Sequence, residues 1–392
     1  RCPRTPSTWR STTIASSARR APASRPPSPA PAAKSSCESK QGAASTKLAA
    51  SLVAGLRAGL VKKKLDPTLV GFITEDDVVT SDVLEFIPTL FPQMDRIMGG
   101  GWPVGRSVEL FSPEGIGKSA LMHLGCKGVQ TVGGIAVFID HEHSLDTQKI
   151  IQLGIDPKRL IYHAPDTIEQ SLDILQSILE TLAEDPPPAP VFIGWDSVAA
   201  GVPEAELNED SVQDSHVGLV ARAMAKGCRK LVGLLPAARA CLVFVNQVRD
   251  KIGVMWGEKT DSPGGRAIKA FASIRIRLTH KKVLRQGEKA TGQLVFAKTV
   301  KNRLAPPFQT ASYLIDYARG PSPELSALQM LLESRVLKTS GVYLVPEWNH
   351  ELRLKRSDWL TYMAEADFRE KVTAAVQKLV EAGCTGGAST EE

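Results

Sequence analysis

From about Glu85 to Tyr317, short runs of consecutive apolar residues alternate with longer stretches whose apolar positions recur every three or four residues. The runs Ser107–Phe111, Gly134–Ile139, Leu160–His163, Val191–Trp195 and Cys241–Asn246 predict strands, and the stretches 167–184 and 215–235 predict helices. Strands that are apolar on both faces belong in a sheet covered on both sides. The alternation therefore predicts an α/β fold with a mostly parallel, doubly wound sheet over residues 85–320. Residues 271–280 and 291–300, separated by the polar Lys281–Ala290, predict an antiparallel extension of that sheet. Beyond Pro321 the pattern changes to a helix (Glu324–Leu337), a short extended piece (Gly341–Pro346) and a charged helix (Asp367–Ala382). Residues 321–392 are thus expected to form a small α+β C-terminal domain with a frayed tail.

Ahead of the core, Leu48, Leu52, Leu56 and Leu60 fall at i, i+4 spacing between Thr46 and Lys64, and the stretch ends in Lys62-Lys63-Lys64, as cations at a helix C-terminus should. This predicts one amphipathic helix within residues 46–84, followed by an acidic connector around Glu75-Asp76-Asp77. Its apolar stripe suits docking on its own core or on a neighbouring subunit, and residues 46–84 are expected to be an oligomerisation helix and linker that packs on a neighbouring protomer. Residues 1–45 are rich in Ser, Pro, Ala and Arg and lack apolar periodicity, so they are expected to be a disordered tail. With no initial Met and few acids, that tail reads as an organellar transit peptide or a non-native leader.

Charge changes this picture little. The 392 residues carry a net +6. Residues 1–40 hold eight Arg or Lys against one acid, giving +7 and leaving about −1 for the rest. Global basicity therefore says nothing about partners of the folded part, and any nucleic-acid site has to come from local clusters. No apolar run reaches the ~18 residues of a membrane span, and a cytoplasmic location is expected, organellar if the tail is a transit peptide. Six scattered cysteines, with no CxxC pair, read as free thiols, those at 126, 228 and 241 as small core residues.

The chemistry begins at Ser112-Pro113-Glu114-Gly115-Ile116-Gly117-Lys118-Ser119, which follows a predicted strand and opens an apolar-periodic helix. That is the setting of a phosphate-binding loop. Backbone N–H groups surround a phosphate chain, Lys118 reaches the β/γ-phosphates, and the Ser119 hydroxyl ligates Mg²⁺. Ser112 stands where the pattern has Gly; Gly tolerates positive φ far better, so the departure needs compensation or it weakens the loop. A Gly-rich strand-to-helix turn is the plainer alternative. The run Phe192-Ile193-Gly194-Trp195-Asp196-Ser197 ends a second strand in a carboxylate, placing Asp196 beside the loop to hold Mg²⁺. Between them, Phe138 to Asp146 runs from a strand into a polar cluster, where Glu142 is set to orient an attacking water. His141 and His143 have no further clear ligand for a metal.

These segments resemble the bacterial RecA recombinase family over roughly residues 85–320. The resemblance rests on Gly99-Gly100-Gly101-Trp102-Pro103-Val104-Gly105-Arg106, the Glu114–Ser119 loop, Asp140-x-Glu142-His143-x-Leu145-Asp146 and Asp196-Ser197-Val198-Ala199-Ala200. It continues through Asp214-Ser215-His216, Asn246-Gln247-Val248-Arg249, Lys251-Ile252-Gly253-Val254-Met255, Gly264-Gly265-x-Ala267-x-Lys269 and Val300-Lys301-Asn302-Arg303. The resemblance implies an ATP- and Mg²⁺-dependent filament on single-stranded DNA that pairs it with homologous double-stranded DNA and exchanges strands in repair. It also brings in a possible repressor co-protease target.

By the same resemblance, two DNA-holding loops map to about Glu204–Ser215 and Val248–Gly264. The second is expected to use Arg249, Lys251, Met255 and Trp256, with Gly264 and Gly265 at its end; cations suit phosphates and an inserted apolar or aromatic side chain suits separated bases. Arg222 and Arg229, seven residues apart on one helix face, match backbone-contacting positions. Gln247 looks like the γ-phosphate sensor, Lys301 and Arg303 like a pair contributed by a neighbouring subunit, and Asp146 and Tyr317 like the adenine side. Lys149 stands where the family usually has a Tyr. Two other classes remain as alternatives: a catalytically weakened DNA-binding filament subunit or regulator, and a hexameric helicase-type motor.

Overall fold

The computed structural model describes residues 36–64, 85–207, 218–250, 260–261 and 265–385, with backbone alone at 36–46, 249–250, 260–261, 265 and 383–385. The chain divides into two units, Arg1–Thr80 and Ser81–Glu392. The first contains α1 (Ser36–Lys62), which starts at Ser36 rather than Thr46 and so takes in residues expected to be part of a disordered tail. Leu48, Leu52 and Leu56 of its apolar stripe are exposed.

The second unit opens with β1 (Phe86–Ile87), α2 (Pro92–Met98) and β2 (Trp102–Pro103). The central elements follow as β3 (Ser107–Ser112), α3 (Lys118–Thr131), β4 (Ile135–Asp140), α4 (Thr147–Gln152), β5 (Leu160–His163), α5 (Ile168–Glu184), β6 (Val191–Asp196), α6 (Glu204–Leu207), α7 (Leu219–Leu234) and β7 (Ala240–Gln247). A two-residue ladder, β8 (Arg249–Asp250) with β9 (Thr260–Asp261), precedes α8 (Gly265–Phe271). Then come β10 (Ile274–Gln286), β11 (Lys289–Asn302), β12 (Thr310–Asp316) and β13 (Gly320–Pro321).

Nine strands form one sheet in the order β13-β12-β11-β10-β3-β7-β6-β4-β5. The six from β10 to β5 are parallel and the other three antiparallel, as the alternation of apolar runs predicts. The side-chain period of two then sorts each strand onto two cores. In β7, Cys241, Val243 and Val245 join α3 on one face, while Ala240, Leu242 and Phe244 join α5 and α7 on the other. Ala136 and Phe138 of β4 likewise oppose Val137 and Ile139.

Two expectations are corrected. The polar stretch Lys281–Ala290 does not separate two strands; β10 and β11 run through it to a tight turn at Gly287, whose φ is +62°. A paired ladder satisfies its own backbone, so an exposed arm tolerates polar side chains that a periodicity reading takes for a loop. The helix expected to reach Leu337 ends at Glu333, with Arg335 at φ +62° turning the chain into a strand. In the sheet β7 lies between β3 and β6, and the Asp196 carboxylate still reaches the Ser119 hydroxyl at the end of the phosphate loop.

After β13 come α9 (Pro323–Glu333), β14 (Leu337–Ser340), β15 (Tyr343–Pro346), β16 (Leu354–Lys355), α10 (Trp359–Tyr362) and α11 (Ala366–Thr385). They close over an apolar cluster of their own around Trp359, Phe368 and Val372.

Candidate nucleotide site and nucleic-acid face

Parallel strands deliver their loops to one edge, and the candidate residues gather at the C-terminal ends of β3, β4, β6 and β7. The loop after β3 turns through Gly115 (φ +71°) and Gly117 (φ +100°) into α3. Gly117 is the N-cap of α3 and offers no capping side chain, so the first-turn N–H groups are directed at whatever occupies the loop. A Cβ at Gly117 would collide with Ile315, and Gln293 Nε2 donates to Gly115 O at 3.2 Å from behind. Pro113, Glu114 and Gly115 are exposed and Ile116 half-buried, so this stretch forms the open lip of the cradle.

Ser112 is not strained. It is the last, fully buried residue of β3, paired with Gln247, and it is not among the positive-φ positions. The expected penalty for losing Gly therefore does not arise. Its hydroxyl donates to Pro113 O at 2.7 Å and accepts from Lys118 Nζ at 3.0 Å; Lys118 also donates to Ser112 O and Pro113 O at 3.2 and 2.8 Å. Burial pushes the Lys118 ammonium below its usual range, against the pull of Asp196, Glu142 and Glu114.

Asp196, at the end of β6, is 1 % exposed. Burial pushes its carboxyl up to about 6, and the Ser119 hydroxyl bonds to it. Its Oδ2 is buried with no hydrogen-bond partner. A desolvated carboxylate with an orphan oxygen beside a hydroxyl fits a divalent cation, the donor chemistry that Mg²⁺ takes. Glu142 faces this pair: its Oε1 accepts from Ser197 Oγ at 2.6 Å and from Gln247 Nε2 at 3.2 Å. The loop carrying Glu142 is shaped by Asp140, whose carboxylate accepts from the N–H groups of Glu142, Ser144 and Leu145 at 3.1, 2.9 and 3.0 Å. Lys118, Ser119, Glu142, Asp196 and Gln247 are thereby brought together.

Asp146 caps α4, accepting from Gln148 and Lys149 N–H, and shares a cleft of about 340 Å³ with Tyr317, Lys149, His123 and Arg319 on the flank of α3. Tyr317 is 53 % exposed. Lys301 and Arg303 lie elsewhere. Lys301 pairs with Arg275, Arg275 lies level with Glu109, and Arg303 N–H reaches Ser273 O. They therefore sit at the opposite edge of the sheet from Ser112, about 10–16 Å back along the strand direction and two strands over. Lys301 Nζ donates to Lys269 O and Ala270 O, both at 2.9 Å, at the end of α8.

On α7, Arg222 and Arg229 are exposed on one face with Lys226 between them. The side chain of Arg249 is not described; its backbone forms the base of the second candidate loop, and Gly265 begins α8. Lys251, Met255, Trp256 and Gly264 lie outside the described residues.

Residues 76–322 match the family profile described as the RecA N-terminal domain. The chain belongs to the RecA family. It is 39 % identical to the protein RecA of Heliobacterium modesticaldum over 263 residues, covering 67 % of this chain and 74 % of that relative. It is 41 % identical to the protein RecA of Arthrobacter sp. strain FB24 over 259 residues, 66 % and 72 % of the two chains. The function that goes with RecA membership is recombination in DNA repair, with ATP and DNA binding.

Sequence reasoning missed several residues around this RecA-type site. Ser197 stands in the Asp196–Ala200 run, but its bond to Glu142, like that of Gln293 to Gly115, crosses the sheet and is marked by no local pattern. Asp140 stood inside the polar cluster, but its role as the organiser of the Glu142 loop shows only in its three N–H contacts.

Proposed function

We propose that this chain hydrolyses ATP within a filament on single-stranded DNA and uses the nucleotide cycle to drive homologous pairing and strand exchange. The observation that carries the reading is the convergence of Lys118, Ser119, Asp196, Glu142 and Gln247 on one sheet edge, with Lys301 and Arg303 at the other.

The loop N–H groups and the α3 N-terminus cradle the phosphates, and Lys118 exchanges its loop oxygens for phosphate oxygens. Ser119 and Asp196 hold Mg²⁺, which when bound neutralises charge on the β- and γ-phosphate oxygens. Glu142, steered by Ser197 and Gln247, orients and polarises the attacking water. Gln247 leads directly into the second candidate DNA loop and so links nucleotide state to DNA. Lys301 and Arg303 cannot serve the phosphate loop of their own chain from the far edge, which supports their acting on a neighbour's nucleotide.

The test is ATP turnover with and without single-stranded DNA, alongside Glu142→Gln. The Gln variant is expected to bind nucleotide normally and lose about 10²–10⁴ in turnover. A wild-type chain that binds ATP but is not stimulated by DNA is instead the weakened filament subunit or regulator.

A further inference from the structure

Immediately before Glu142 stands His141, a buried residue that the nucleotide chemistry does not use. Its ring stacks on Trp195, with centroids 5.6 Å apart and planes 19° from parallel. Its backbone N–H donates to Asp196 O at 2.8 Å, which ties the ends of β4 and β6 together. Its Nε2 lies 2.8 Å from Ser171 Oγ on the first turn of α5. Ser171 Oγ also reaches Thr167 O at 3.4 Å, and the direction of its bond with Nε2 follows the imidazole tautomer. Burial holds His141 well below its usual range, at about 4, so the ring is neutral and has one proton to place.

The same first turn of α5 grips the chain that leads into the first candidate DNA loop. Ile168 N–H donates to Val202 O at 2.9 Å, Thr167 and Val202 form a parallel bridge, and Glu204 N–H donates to Glu169 Oε2 at 2.9 Å. His141 also lies beside this segment. A Cβ at the buried Gly201 would come within 2.6 Å of Ile168 and 3.3 Å of His141 Cε1, so Gly201 is seated between the two.

We propose that His141 is a positioning residue that transmits displacement of residues 201–204 to Glu142. The segment cannot shift without moving Gly201 or the α5 turn, and both bear on His141. Trp195 backs the ring, so the imidazole cannot yield sideways, and the motion passes along one peptide to Glu142. The proposal rests on the ATPase reading above.

The experiment compares wild type, His141→Ala, His141→Gln, Ser171→Ala and the His141→Ala/Ser171→Ala double. For each it measures ATP turnover with and without a poly(dT) strand, affinity for a non-hydrolysable ATP analogue, and hydrogen exchange at the Ile168 and Glu204 amides. Each single Ala variant is expected to keep the analogue affinity within about twofold and to lose DNA stimulation by about five- to tenfold, the size of effect that contact networks carry. The double should be no worse than the singles, because one chain of contacts is cut in both. His141→Gln, whose amide can donate to Ser171, should recover most of the stimulation. Exchange at Ile168 and Glu204 should quicken in His141→Ala.

Unchanged stimulation in the single variants, or additive losses in the double, overturns the proposal. So does a loss of analogue affinity equal to the loss of stimulation, which would make His141 a support of the fold. A wild type without DNA stimulation overturns the ATPase reading and this proposal together. A stimulated wild type with unaffected variants overturns this one alone.

Discussion

The two edges of the central sheet carry different kinds of candidate residue. At the C-terminal edge, Lys118 is bonded to its own loop, Ser119 to Asp196, and Glu142 to Ser197 and Gln247, and burial shifts the titration of Lys118 and Asp196. At the N-terminal edge, Lys301 is held by two main-chain carbonyls at the end of α8, and Arg303 lies 3.4 Å from one of them. A helix C-terminus attracts cations, while burial and the neighbouring Arg303 and Arg275 push the Lys301 ammonium below its usual range. The first edge resembles an assembled site and the second a pair of charges parked on a carbonyl cap. On the reading proposed above, one chain supplies a phosphate loop at one edge and a cation pair at the other, and a neighbouring copy completes each site.

That comparison breaks most sharply in a mixing experiment. Lys301→Ala, made together with Arg303→Ala, is expected to lower DNA-stimulated turnover about 10³-fold or more, the scale on which such cations act in phosphoryl transfer. Lys118→Ala should abolish turnover through its own phosphate loop. Mixed in equal amounts, the two inactive proteins should recover part of the wild-type rate, because some interfaces join an intact loop to an intact cation pair. A mixture with no recovery places both defects in one chain, and the two-edge division fails.

A second test separates the edges by pH. The Asp196 carboxyl rises to about 6 through burial, and Asp95, in the first turn of α2, reaches about 6 for the same reason. Below about pH 4, Asp196 is protonated folded or unfolded and contributes nothing. Between about 4 and 6 the unfolded chain ionises while the fold keeps its proton, so stability falls, and above 6 the full cost is in place. For a shift of about two units that cost is at most about 3 kcal/mol. Asp196→Asn should therefore unfold at a higher temperature than wild type at pH 7, with the gap closing towards pH 4. Asp95 is present in both proteins and cancels. Mg²⁺ with ATP should raise the wild-type midpoint by more than the variant's, because the variant keeps the phosphate cradle but loses one of the two groups that hold Mg²⁺. Equal midpoints at pH 7 without nucleotide would mean the carboxylate is solvated rather than strained.

The sequence made one edge far more legible than the other. Each strand on the loop edge ends in its chemistry, so Ser112–Ser119, Asp140–Glu142 and Asp196 could be read from where an apolar run stops, while Gln247 came only through the family resemblance. What could not be read was lateral. Strand order is set by packing between elements distant in the chain, so nothing local shows that β7 intervenes between β3 and β6 or that Gln293 braces Gly115. The harmless fit of Ser112 was equally hidden. The motif counts it as part of the loop, whereas the ladder with Gln247 makes it the end of a strand, where φ is negative and any small residue fits. The Lys281–Ala290 arm misled for the opposite reason: its strands are paired but exposed, and exposure erases the apolar signal.

Helix α7 joins the two edges, since it descends from the loop after β6 to the start of β7. Arg222 lies near the loop edge and Arg229 about 10 Å further down the same face. If DNA lies along this face, replacing either by Ala should lower the slope of log affinity against log salt by about one and weaken binding at low salt. Lys226, between them on the face, should behave alike. Slopes that stay put in all three variants would confine DNA to the loops and detach α7 from the comparison.

The smallest effect concerns the flank of the loop edge. Lys149 and Tyr317 line one cleft beside α3, with Asp146 turned to cap α4. A base placed there finds one exposed ring and, across from it, a flexible ammonium that prefers water to a π-face contact of modest worth. Lys149→Tyr offers a second ring, and ring-on-ring packing adds about 0.5–1.5 kcal/mol beyond area burial. ATP should therefore bind about two- to tenfold tighter in the variant, measured by displacement of a fluorescent analogue. Inorganic triphosphate, which has no base, should bind both proteins equally, so a gain shared by triphosphate would trace to removal of a charge rather than to stacking. His123 sharpens the same point: buried, neutral and lowered to about 4 with Lys149 among the causes, it should titrate higher once that ammonium is gone. An ATP affinity unchanged by the new ring would show that the base does not rest in this cleft, and the assembled edge would then end at the phosphates.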